Sequence, residues 1–120
     1  YMSDEFLKVA TAEINNEISE IQNILNSCQS NLDVSANAAK IQKSTHKIKG
    51  LAPMMGKEDL GSLSALLDSL LKKIMNGIVA DEILDSLIIA ADEMKKSMTC
   101  HDYNLDKIKQ RISNLSSALS

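Results

Sequence analysis

Apolar residues recur at steps of three and four along most of this chain, and the steps break at only a few places. Phe6, Leu7, Ala10, Ile14, Ile18, Ile21, Leu25 and Cys28 form one such series, which at about 100° per residue falls on a single stripe of a helix over about 4–28. Glu13, Asn16, Glu17, Glu20 and Asn23 fill the opposite surface, as an amphipathic helix resting on a core requires. The run Ser30-Asn31-Leu32-Asp33 reads as a turn. Ser35 then reads as the N-cap of a second helix over about 35–55 that turns Ala38, Ile41, Thr45, Ile48 and Ala52 inward and stops at Gly56. A third helix over about 58–76 carries Leu60, Leu63, Leu67, Leu70, Leu71 and Ile74 and ends at Asn76-Gly77. The fourth, over about 79–98, carries Val79, Ile83, Leu84, Leu87, Ile88, Ala91, Met94 and Met98. Cys100 to Asn104 interrupts the pattern, and Leu105, Ile108, Ile112, Leu115 and Leu119 mark a fifth helix over about 103–119.

No segment reads as a strand, and short connections between long amphipathic helices favour antiparallel neighbours. The expected fold is therefore all-α: an antiparallel up-down four-helix bundle with an additional C-terminal fifth helix packed beside it, one domain over 1–120. Composition agrees, since 2% aromatics, 4 Gly and 1 Pro suit neither a sandwich, a barrel nor a disordered chain. A formal charge of -3 gives no basic footprint for a nucleic-acid backbone. The apolar runs fall far short of the roughly 20 residues that cross a bilayer, and no basic and apolar leader precedes the first helix, so a cytoplasmic domain with no membrane partner is expected. Cys28 and Cys100 lack the spacing of redox or zinc pairs and are expected to be reduced. Tyr1 before Met2 is given no meaning.

One stretch of the second helix carries unusual chemistry: Thr45-His46-Lys47-Ile48-Lys49-Gly50-Leu51-Ala52-Pro53-Met54-Met55-Gly56. His46 lies about 140° from the centre of the apolar stripe and should face solvent, with Lys49 and Gly50 three and four residues on as its surface neighbours. A glycine inside a helix costs about 1 kcal/mol relative to alanine and needs a reason. Access is one: without a side chain at Gly50 the imidazole stands clear, and a partner's active site can close over it. A neutral imidazole nitrogen is a nucleophile near neutral pH, and a hydrogen-bond acceptor at the other nitrogen selects which one keeps its proton. Asp68, about 120° from the centre of the third helix's stripe, is the candidate acceptor, and Lys49 is placed to hold phosphoryl oxygens.

Taken singly, each of these is ordinary: an exposed histidine, two solvated charges and a weak point in a helix. Together they resemble the HxxKGxAxxxG pattern of histidine-containing phosphotransfer (HPt) domains, matched at His46, Lys49, Gly50, Ala52 and Gly56. The resemblance is closer still to the amino-terminal phosphotransfer domains of chemotaxis kinases of the CheA type, because the third helix, Asp68 and the Asn76-Gly77 stop align without a gap and a fifth helix is present there too. It implies that His46 is phosphorylated on Nε2 by an ATP-dependent histidine kinase domain and passes the phosphoryl group to an aspartate of a response-regulator receiver domain. The chain departs from the CheA-like pattern in having Asp68 where that pattern has Glu, and Ala65 where it has a second His. Pro53 is a further oddity: it removes the amide hydrogen that would bond the carbonyl of Lys49, and a bent or early-loosening helix end is expected, with the His46 turn intact.

The competing reading is a bundle that binds a receiver or kinase without carrying phosphate. His101 beside Cys100 and Asp102 reads as loop or cap rather than metal site, because adjacent residues cannot all converge on one ion. Met54, Met55, Met75, Met94 and Met98 read as gap-filling core or boundary positions. No phosphate loop, Ser-His-Asp order or carboxylate pair is visible, so no cofactor or metal is expected and ATP must be held elsewhere. The domain on its own is expected to be a monomer, a carrier more than an enzyme.

Overall fold

The computed structural model describes residues 3–119; Tyr1, Met2 and Ser120 lie outside the described residues. Its helices are α1 (Asp4–Asn26), α2 (Asn31–Met54), α3 (Glu58–Ile74), α4 (Ile83–Thr99) and α5 (Asp106–Ala118), with no strand among the described residues. The first four make an up-down bundle in which α2 packs most extensively on α3 and also meets α1 and α4, while α5 lies along α3 and α4. The core is the set the periodicity selects: Ile14, Ile18, Ile41, Ile48, Leu60, Leu63, Leu70, Leu71, Ile74, Ile83 and Met94 are almost fully buried. Leu105 seals the entry to α5, and Ile108 and Ile112 dock that helix. Among the described residues no helix is long and apolar enough to cross a membrane.

Three helix starts differ from those expected, the smallest difference being that α5 begins at Asp106 rather than near 103. The second helix begins at Asn31, not near Ser35, because Ser30 is the cap: its Oγ accepts from the Asp33 amide (3.3 Å), while the Asp33 carboxylate accepts from the Gln29 amide (2.8 Å). Ser30 caps the third helical amide as in a capping box, while the Asp33 side chain reaches one residue further back, to Gln29 rather than to Ser30, so the polar run expected to be a turn is the start of the helix. Ser35 lies inside α2, and its hydroxyl donates to the carbonyl of Ile78 (2.7 Å).

The fourth helix begins at Ile83 rather than near Val79, and Ile78 and Val79 are exposed in the connection. Glu82 enters the helix in the left-handed region (φ 64°) and provides no side-chain cap. The acceptor comes from another helix: Asn31 Oδ1 takes the Leu84 amide at 3.0 Å. Leu7 and Ile88, placed on apolar stripes by spacing, are also exposed.

Pro53 ends nothing ahead of its own turn, since α2 runs through it to Met54 and the His46–Gly50 segment is helical. The stop is made by Gly56 (φ 78°), with Gly56 N–H donating to Pro53 O (3.0 Å) and Lys57 N–H to Ala52 O (2.9 Å), the two bonds of a Schellman motif. The Pro53 ring rests on α3 at Gly61, where a Cβ would stand 2.7 Å from Pro53 Cγ. Glycine at 61 therefore permits the close approach of α2 to α3 that brings their side chains into one cluster.

Candidate functional site

Midway along the α2–α3 contact, Ile41, Ser44, Thr45, Ile48 and Ala52 are all buried, which fixes the rotation of α2 about its axis. That rotation turns His46 outward, as its spacing predicts, with 64% of its side chain exposed. It also leaves Gly50 open: a Cβ there would meet no described atom within 4 Å, so no packing contact inside the domain accounts for the glycine.

On the facing helix, Asp68 is buried more deeply than a flank position implies, with a side chain only 3% exposed. An ionised carboxylate is costly to bury alone, and this one is not alone. Gln42 Nε2 donates to its Oδ1 at 2.5 Å, Lys72 Nζ lies 3.2 Å and Lys49 Nζ 3.5 Å from its Oδ2, and His46 Nδ1 is 3.7 Å from Oδ1. Burial pushes the Asp68 carboxyl up, but the Gln42 amide, the Lys72 ammonium and the charge of Lys49 together outweigh it and hold the group below the usual carboxylate range. The site thus contains a buried anion, two cations and an exposed imidazole whose Nδ1 side faces the anion. At 3.7 Å the imidazole nitrogen and the carboxylate oxygen are too far apart for a hydrogen bond.

All four residues singled out by sequence, His46, Lys49, Gly50 and Asp68, lie on the facing stretches of α2 and α3. Sequence reasoning missed Gln42 and Lys72. Each sits one turn from a residue it did find, Gln42 four before His46 and Lys72 four after Asp68, which is the spacing at which helix neighbours meet. Lys47 leaves this side of the helix and pairs with Glu17 of α1 at 3.2 Å. There Lys47 and the Ser44 hydroxyl, against the upward push of burial, hold the Glu17 carboxyl down. Ala65 is half-buried on α3, one turn before Asp68.

The second histidine is elsewhere. His101 stands in the α4–α5 connection with its Nε2 3.3 Å from Asp102 Oδ2, both side chains in solvent. A cleft of about 390 Å³ opens nearby, lined by Lys57, Ser97, His101 and Tyr103 among others, and it includes none of the His46 cluster. Among the described residues no three His, Cys, Asp or Glu side chains gather as metal ligands would. Cys28, buried, and Cys100, exposed, are both free thiols.

No curated protein and no solved structure matches the chain. The family model for the Hpt domain does, over residues 6–118, a span that takes in all of α2, α3 and α4 with the His46 cluster between them. With five helices in the expected order and nearly the whole length matched, the chain belongs to the Hpt domain family.

Proposed function

We propose that His46 is the residue of this Hpt domain that carries the phosphoryl group. The observation that supports it is the pairing of an exposed imidazole with a buried, anchored carboxylate on its Nδ1 side, which leaves Nε2 as the outward nitrogen. In the neutral ring with its proton on Nδ1, the Nε2 lone pair attacks the γ-phosphorus of ATP held by a kinase domain. The N–P bond forms as the bond to the ADP oxygen breaks, and ADP leaves. The ring then carries positive charge while keeping its Nδ1 proton, and the Asp68 carboxylate offsets that charge from 3.7 Å. Lys49, three residues on, is the cation nearest in sequence on the same helix surface and holds the incoming oxygens. Gly50 leaves room for the enclosing partner, since any side chain there would project into open solvent beside the ring.

In the second half of the reaction a receiver aspartate attacks the same phosphorus, the N–P bond breaks, and the imidazole returns to its neutral form. The group thus moves between two proteins, each bringing its own pocket to an exposed helix face. We assign the domain to a cytoplasmic two-component relay and, on the resemblance of its third helix, Asp68 and fifth helix to the CheA-like pattern, to the amino-terminal phosphotransfer piece of a CheA-like kinase. Incubation with ATP and a CheA-type catalytic core, followed by intact mass and acid treatment, tests this. One acid-labile phosphoryl group is expected on the wild type and none on His46→Gln. Undiminished labelling of that variant would move the site to His101, and no labelling of the wild type would favour a binding module without phosphate.

A further inference from the structure

Asp68 has two oxygens and four neighbours that seek them. The two ammonium groups, Lys72 and Lys49, both attend Oδ2, at 3.2 and 3.5 Å. Oδ1 receives the Gln42 amide at 2.5 Å and is also the oxygen that His46 Nδ1 approaches at 3.7 Å. Lysine is a compact point charge on a flexible stem, so it neutralises the carboxylate without fixing how its plane is turned. A planar amide with a short, directed bond does fix it. Each carboxylate oxygen has two acceptor directions, so a donor seated in one leaves a single, defined direction free.

We propose that Gln42 is a positioning residue for His46: by occupying one acceptor direction of Oδ1 it turns the other toward Nδ1. This keeps the ring proton on Nδ1 and the lone pair on Nε2. Gln42 is suited to the task because it sits on the same helix as His46, one turn away, with its carbonyl accepting from Thr45 Oγ1 at 3.0 Å within that turn. Donor and imidazole therefore move as one body, while the carboxylate is supplied across the interface by α3. Since the ring is not hydrogen-bonded at 3.7 Å, the direction of the free acceptor decides whether a small ring movement completes the bond. The proposal rests on the reading of His46 as phosphoryl acceptor, but it concerns the unphosphorylated ring.

The test is the tautomer of the neutral His46 ring, read by ¹⁵N–¹H NMR in the wild type, Gln42→Met, Gln42→Ala and Lys72→Met, with solvent-exposed His101 as internal reference. The wild-type ring should hold its proton mainly on Nδ1. Both Gln42 variants should shift the ratio toward that of His101 and slow phosphorylation about 3- to 10-fold, a part of what an acid–base partner supplies. Lys72→Met should leave the tautomer as in the wild type. An unchanged tautomer in the Gln42 variants, whatever their rate, would overturn the proposal, and so would an equal shift in Lys72→Met, which would make the effect one of net charge. Phosphorylation of the wild type is scored separately. If it failed, the phosphotransfer reading would fall, while the spectra would still decide what Gln42 does to the ring.

Discussion

The two histidines of this domain each stand near an aspartate, and the closer pair is the one without the marks of a site. His101 and Asp102 are 3.3 Å apart at the α4–α5 connection, with side chains 95% and 86% exposed. His46 and Asp68 are 3.7 Å apart, with the aspartate 3% exposed. Water screens the first pair and lets both side chains reorient, so proximity there fixes no direction on the ring. Asp68 is held in place, because it is buried where α3 packs on α2 and Gln42, Lys49 and Lys72 surround it. What separates the two pairs is the anchoring of the carboxylate, not its proximity to the ring.

Exchanging the histidines gives the largest contrast. His46→Gln should remove all acid-labile phosphate, and His101→Gln should leave labelling at the wild-type level, both scored by intact mass. Removing the carboxylates comes next. Asp68→Ala should slow phosphorylation about 10-fold or more, within the lower part of the range credited to placed acid–base groups, whereas Asp102→Ala should not change the rate. Equal effects from the two aspartates would erase the distinction drawn here.

Gly50 sharpens the comparison from the other side of the ring. Gly50→Gln should hinder transfer to a receiver several-fold while raising thermal stability by about 0.5–1 kcal/mol, because helix propensity rises and nothing in the domain is displaced. A variant that transferred at the normal rate would show that the partner does not close over this position.

The smallest effect lies in the acid limb of stability. Asp68 titrates below its ordinary value of 3.8, so its contribution to folding is complete above that value and is lost as pH falls through the lowered folded one. The stability gap between the wild type and Asp68→Asn, measured by urea unfolding at a series of pH values, should be flat toward neutrality and narrow below about 3.8.

Periodicity was enough to find the five helices and nearly all of the core, because each helix buries a stripe and the stripe is written in its own residues. The starts of α2 and α4 escaped it for different reasons. The Ser30 cap on the Asp33 amide is local, but a Ser-Asn-Leu-Asp run fits a turn as well as a helix start. The cap of α4 was not legible locally, because its acceptor belongs to Asn31, 53 positions earlier. The site divides in the same way. His46, Lys49 and Gly50 share one helix surface and could be placed by angle alone. The depth of Asp68 and the parts played by Gln42 and Lys72 depend on how far α2 and α3 are rotated and slid against each other. Pro53 and Gly61 help set that stagger, and no single-helix pattern contains it.

The Asn31 side chain ties the opening of α4 to the start of α2. A helix must fix its first turn before it gains a hydrogen bond for each added residue, and α4 has no side-chain cap of its own for that turn. The Leu84 amide gains the Asn31 acceptor only once the start of α2 has docked beside it, so this end of α4 is expected to open ahead of the helix interior, together with the 78–82 connection. The His46 turn lies well along α2 from this junction, so breathing at the Asn31 end need not reach the α2–α3 contact on which the imidazole depends.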